Sequence, residues 1–161
     1  KYTWVDIGSS FLPGELIAAF LFGQLEQEPR VRERRLAQYE FYTEAFQDLG
    51  ASGNVRLPVQ PEHTTGNGHM FYLRLASQTT RDALIAHLKD QGIVAPFHYV
   101  PLHSAPAGRR FARQAGSLEN TDKVSAELVR LPMFYSLGED IEKVAQTVRT
   151  WFGSGRRDCT A

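Results

Sequence analysis

His69-Met70-Phe71-Tyr72-Leu73-Arg74-Leu75 is the stretch from which the fold is read. It is rich in β-formers, and the two-residue repeat of a pleated strand sends Phe71, Leu73 and Leu75 to one face and Met70, Tyr72 and Arg74 to the other. A helix is expected over about 79–91, with Thr79 or Thr80 as its cap, Leu84, Ile85 and Leu88 facing inward, and Gly92 as its stop. Ile93-Val94-Ala95-Pro96-Phe97 reads as the next strand. This strand–helix–strand unit is the centre of an α/β domain, and a right-handed crossover is expected if its strands are parallel.

Towards the N-terminus, Gly8, Ser9 and Ser10 predict a turn, and Pro13 suits the first position of a helix because its missing N–H costs nothing there. From Glu15 the apolar residues Leu16, Ala19, Phe20, Phe22 and Leu25 recur at helical spacing. Ile17, Ala18 and Leu21 extend the apolar surface around most of the helix, which predicts burial on more than one side, in a larger body or a subunit interface. Pro29 is expected to end or kink this helix near Glu28, and a second stretch over 31–49 carries Val31, Leu36, Tyr39, Tyr42, Ala45, Phe46 and Leu49 as its apolar set. The cluster Arg30, Arg32, Arg34 and Arg35 admits two readings. It is either an anion site or a solvated helix face balanced by Glu26, Glu28 and Glu33, and the second is favoured. Residues 50–53 break the helix and 54–58 form a short strand candidate.

On the C-terminal side, 107–115 is a weak, basic helix, and Asn120 or Thr121 caps another through Leu128. Residues 130–134 form a short extended segment. A last helix starts with Ser136 and the acidic residues Glu139, Asp140 and Glu142, which suit the positive end of its dipole. Its stripe is Ile141, Val144, Ala145, Val148, Trp151 and Phe152. The chain thus divides into an opening turn and connecting helices (1–50), a small α/β domain (51–153) and a flexible tail (154–161).

Composition narrows the function classes. A 161-residue chain with 42% hydrophobic residues can bury a core, and 18 basic against 18 acidic side chains leave no global field for a nucleic acid. Cys159 is the single cysteine, which excludes a disulfide framework and a cysteine-rich zinc site and favours a cytoplasmic address. The apolar run 16–22 is far short of the roughly 20 residues that span a bilayer, so a soluble protein is expected. The chain opens on Lys1, which suggests a piece of a longer polypeptide.

The densest polar chemistry lies at 96–103, Pro-Phe-His-Tyr-Val-Pro-Leu-His. Pro96 and Pro101 stiffen the segment into a loop able to present side chains. His98 and His103, five residues apart with no adjacent carboxylate or thiol, are poor metal ligands, and no metal is expected. No serine stands in a nucleophile elbow and the glycine-spaced phosphate fingerprints are absent. From these residues alone the reading is a ligand-binding α/β domain.

The motifs together say more. Residues 1–12 (Lys-Tyr-Thr-Trp-Val-Asp-Ile-Gly-Ser-Ser-Phe-Leu), 15–26, His-Met-Phe-Tyr-Leu at 69–73, Phe-His-Tyr-Val-Pro-Leu-His-Ser-Ala-Pro-Ala-Gly at 97–108 and Leu-Pro-Met-Phe-Tyr-Ser-Leu at 131–137 occur in the order of the DegT/DnrJ/EryC1/StrS sugar aminotransferases. The chain resembles the C-terminal portion of that family from Lys1 to about Phe152. The resemblance implies the C-terminal small domain of a fold type I pyridoxal-phosphate enzyme, a small sheet packed with helices and preceded by long connecting helices. It implies pyridoxal 5'-phosphate as cofactor, glutamate as amino donor, a nucleotide-linked 4-keto-6-deoxy sugar as acceptor, a homodimer, and a large N-terminal domain upstream.

The same resemblance places individual residues. Gly8-Ser9-Ser10-Phe11 occupies a family turn whose Asn, a cross-subunit contact to the cofactor phosphate, falls on Ser10. The Arg of that turn falls on Leu12, a departure that leaves an ionic contact there unsupported, while backbone N–H groups near the following helix start still favour a phosphate. His98, Tyr99 and His103 match the loop bordering the sugar-nucleotide pocket, with hydrogen bonds to sugar or pyrophosphate expected and His103 foremost. The competing reading is that Tyr99 and one histidine satisfy buried backbone groups of the loop. The chemistry needs a Schiff-base lysine. Lys1, Lys89, Lys123 and Lys143 are the only lysines, and none stands in the family's catalytic context, so the segment is expected to be inactive alone. Two other readings are a free-standing binding or assembly domain and a pyridoxal-phosphate-linked sugar dehydratase of the same superfamily.

Overall fold

A computed structural model describes residues 12–154. The elements are α1 (Glu15–Glu26), α2 (Glu28–Ala45), α3 (Gln47–Ala51), β1 (Phe71–Arg74), α4 (Gln78–Asp90), α5 (Pro106–Phe111), α6 (Glu119–Glu127), β2 (Leu128–Leu131) and α7 (Asp140–Gly153).

The expected strand at 69–75 is shorter, but its faces are as read: Phe71, Leu73 and Leu75 are buried while Tyr72 and Arg74 are half-buried. β1 pairs antiparallel with β2, Phe71 opposite Leu131 and Leu73 opposite Val129. Single antiparallel bridges, Arg56 to Arg74 and Phe97 to Val129, extend the ladder on either side. The strand expected over 93–97 is therefore reduced to a bridge at Phe97. Pro96 has no N–H to give to a ladder, and its carbonyl accepts from the Arg130 N–H at 2.9 Å. β1 and the Phe97 segment run in the same direction, since both are antiparallel to β2, yet β2 lies between them. The strand–helix–strand unit is split by a strand from far along the chain.

That inserted strand was expected later, at 130–134, after a helix through Leu128. Instead α6 begins at Glu119, without a side-chain cap from Asn120 or Thr121, and passes into β2 at Leu128 with no intervening turn. Glu127 is the joint: its carbonyl accepts from the Leu75 N–H at 3.0 Å and its carboxylate accepts from Arg74 Nη2 at 2.8 Å. α4 is capped by Ser77, whose hydroxyl accepts from the Thr80 N–H at 3.1 Å, rather than by Thr79 or Thr80. Its stop is as expected, Gly92 taking φ +74° with its N–H on the Lys89 carbonyl. The last helix starts at Asp140, later than Ser136, and buries all six residues of its stripe.

The inner face of β1 and β2 is covered by Leu84 and Leu88 of α4, by the α7 stripe, and by Tyr42 and Phe46. Tyr39, Tyr42 and Phe46 surround Phe71 with ring centroids 5.2–6.2 Å away. Burying side chains of this size stabilises by roughly 1.5–3 kcal/mol each. The Tyr42 hydroxyl donates to the Pro132 carbonyl at 2.8 Å, which satisfies it inside the core. The second helical stretch breaks at Phe46 into α2 and α3.

α1 departs most from expectation. None of its residues is buried, and Leu16, Ile17, Phe20, Leu21, Phe22 and Leu25 are each at least 50% exposed. Among the described residues α1 thus presents an uncovered apolar surface. No described helix is long and apolar enough to cross a membrane.

Candidate functional site

The segment 96–103 leaves the sheet at the Phe97 bridge and ends in a turn in which the N–H groups of Ser104 and Ala105 both donate to the Pro101 carbonyl at 3.1 Å. α5 follows at once, with Pro106 in its first turn. Gly108 of α5 sits so close to this turn that a Cβ there would lie 1.6 Å from the Leu102 carbonyl oxygen. Only a residue without a side chain allows that approach.

His98 and Tyr99 stand together at the sheet edge, their rings edge to face with centroids 4.6 Å apart. The Arg130 guanidinium lies 5.8 Å from the Tyr99 ring centroid, and the Ser125 hydroxyl donates to the Tyr99 carbonyl at 2.7 Å. Tyr99 is itself exposed, so its phenol is presented outward while its backbone is held. The Nδ1 of His98 is shielded from solvent and has no hydrogen-bond partner among the described residues. Burial, followed by the nearby charges of Arg130 and His69, pushes the His98 pKa below the ordinary imidazole value.

His103 turns the other way, towards α6. Its Nε2–H donates to Oδ1 of Asp122 at 2.8 Å, and its side chain is 14% exposed. With Nε2 committed to the carboxylate, Nδ1 is the ring nitrogen left for a ligand. His103 lines a groove of about 600 Å³ together with Leu102, Arg109, Arg113, Gln114 and Thr121. The structure thus joins His98 to Tyr99 and joins His103 to a separate basic groove. The expectation for Ser10 lies outside the described residues.

The arginine cluster of α2 has mostly structural work. Arg35 donates to the carbonyls of Gly68, His69 and Met133, Arg34 donates to the Tyr135 carbonyl at 3.1 Å, and Arg32 pairs with Glu28 one turn away. Asp122 and Arg130 are site residues that sequence reasoning missed. Asp122 is nineteen positions from His103 and reaches it only through the packing of α6. Among the described residues no group of three or more His, Cys, Asp or Glu could hold a metal ion.

The chain belongs to the DegT/DnrJ/EryC1/StrS aminotransferase family, whose model matches residues 2–149. It is 31% identical over 155 residues to a pleiotropic regulatory protein of Geobacillus stearothermophilus, covering 92% of this chain and 41% of that protein. It is 32% identical over 118 residues to the dTDP-3-amino-3,4,6-trideoxy-alpha-D-glucose transaminase of Micromonospora megalomicea subsp. nigra, covering 71% of this chain and 31% of that enzyme. The S. venezuelae protein DesV, solved in complex with a ketimine intermediate, superposes with a TM-score of 0.74 at 30% identity, covering 83% of this chain and 35% of that one. The chain spans less than half the length of these relatives.

Proposed function

We propose that the chain is the C-terminal small domain of a pyridoxal 5'-phosphate-dependent aminotransferase that moves an amino group from glutamate to a nucleotide-linked 4-keto-6-deoxy sugar. The 96–103 loop forms one wall of the sugar-nucleotide pocket. The observation that carries this reading is the His103–Asp122 pair: an imidazole held beside a groove, on a loop that lies within the family match over residues 2–149. Held this way the ring keeps one nitrogen for a ligand, and the Pro-bounded loop limits the entropy lost when the ligand arrives.

The described residues do not fit the cofactor's Schiff-base role. Lys89, Lys123 and Lys143 are exposed on α4, α6 and α7, outside any enclosed site that could hold a cofactor against the amine. The cofactor lysine is supplied from a large N-terminal domain, and Ser10 contributes a hydrogen bond to the cofactor phosphate of a partner subunit. The bare apolar surface of α1 supports packing against that larger body and formation of the homodimer.

Mixing the purified chain with pyridoxal 5'-phosphate, alone and together with the large-domain portion of a family enzyme, tests the division of labour. Visible cofactor absorbance and transamination are expected only with the large domain present. Activity from the chain alone would refute the proposal.

α1 also favours a second reading, a free-standing assembly domain that pairs with a separately encoded partner. In that case the partner is a separate chain that co-purifies with this one, whereas a contiguous large domain yields a single longer polypeptide.

A further inference from the structure

Of the three asparagines in the chain, Asn67 alone is followed by a residue without a side chain. Asn54 precedes Val55 and Asn120 precedes Thr121, whose β-branched side chains stand over the next amide. Asn67 is exposed, and Gly68 is buried with φ +60°. The Asn67 Oδ1 accepts from the His69 N–H at 3.0 Å, which folds the side chain back over its own following peptide in an Asx turn. The Asn67 Cγ and the Gly68 N are then one bond short of a five-membered ring, and proximity of this kind is what makes an intramolecular attack fast. As that bond forms, negative charge gathers on Oδ1, where the His69 N–H already donates.

Gly68 is also a point at which the fold is fastened. Its carbonyl accepts from Arg35 Nε at 2.8 Å, and the same guanidinium donates to the carbonyls of His69 and Met133. Arg35 thereby ties α2 to the chain entering β1 and to the chain leaving β2. A Cβ at position 68 would lie 2.8 Å from the Arg35 carbonyl carbon, so this contact leaves no slack for a longer main chain.

We infer that Asn67 is a deamidation site of the folded protein. The Gly68 amide gives up its proton to hydroxide and its nitrogen attacks Cγ of Asn67. The new C–N bond closes a succinimide, the Cγ–Nδ2 bond breaks, and Nδ2 takes up a proton and leaves as ammonia. Water then opens either imide carbonyl, leaving aspartate or isoaspartate at position 67. Aspartate changes the charge alone. Isoaspartate routes the main chain through Cγ, inserts one carbon between positions 67 and 68, and draws Gly68 off Arg35.

The complete gene product, incubated at mildly alkaline pH, is digested with trypsin, which releases the segment 57–74 between Arg56 and Arg74. Mass spectrometry of that segment is expected to show a gain of about 1 Da at position 67. One ammonia accompanies each conversion, and the rate is roughly tenfold or more above that at Asn54 and Asn120. Asn67→Gln, whose ring would need a sixth member, abolishes the reaction at that position. An Asn67 that stays intact in the folded protein while the same segment converts in urea overturns the proposal, because the packing of Gly68 on Arg35 then guards the site. Conversion no faster than at Asn54 and Asn120 overturns it as well. Freshly prepared Asn67→Asp is expected to melt like the parent, whereas the isoaspartyl fraction melts lower. An isoaspartyl fraction with the parent's midpoint contradicts the coupling to Arg35.

Discussion

The His103 imidazole and the Asp122 carboxylate meet at 2.8 Å, joining the end of the proline-bounded loop to the first turn of α6. The side chain of His103 is mostly buried whereas that of Asp122 is 55% exposed, so the pair orients the ring more than it stabilises the fold. Asp122→Ala is predicted to cost at most about 1 kcal/mol in stability. In the complete enzyme it should raise KM for the nucleotide sugar several-fold while kcat changes little, because a misoriented acceptor weakens binding rather than chemistry. Steady-state kinetics beside a thermal melt separates the two effects.

Gly108 allows α5 to lie on the Leu102 carbonyl. In Gly108→Ala the new methyl would overlap that oxygen, so α5 or the 101–105 turn must shift. A destabilisation of about 1–3 kcal/mol is predicted, with amide chemical-shift changes concentrated on 101–113. Gly92→Ala serves as a comparison: it meets no atom within 4 Å, and its cost comes from the positive φ alone.

His98 gives a pH signature of known sign. Its folded-state pKa lies below the ordinary value of 6.5, first because burial disfavours the charged ring and then because Arg130 and His69 repel it. As pH falls from about 6.5 towards that lower value, the unfolded chain takes up a proton that the folded chain refuses, so stability is lost across that window. Arg130→Gln removes one repelling charge and should move the His98 pKa back upward, which an NMR titration of the imidazole resonances measures directly.

Much of the fold was legible because local patterns and tertiary packing agreed. The alternation at 71–75 and the α7 stripe each identified a buried face, since one-sided burial imposes a fixed period on the sequence. β2 was misplaced because 124–131 is apolar at spacings that suit helix and strand alike, and the choice at Leu128 is made by its partner β1. α1 was read as buried because its sequence is apolar all round, and sequence alone does not say which body covers it. In the site, Tyr99 and the two histidines stood out by residue type. Asp122 did not, because a single carboxylate on a helix looks like any solvated charge until folding sets it against His103.

Binding of the sugar nucleotide by the 96–103 loop is tested by titrating that substrate against His103→Ala in the complete enzyme. Loss of one ligand hydrogen bond predicts a KM or Kd raised by roughly three- to tenfold, with kcat largely retained. An unchanged affinity in a variant that folds like the parent would contradict the account.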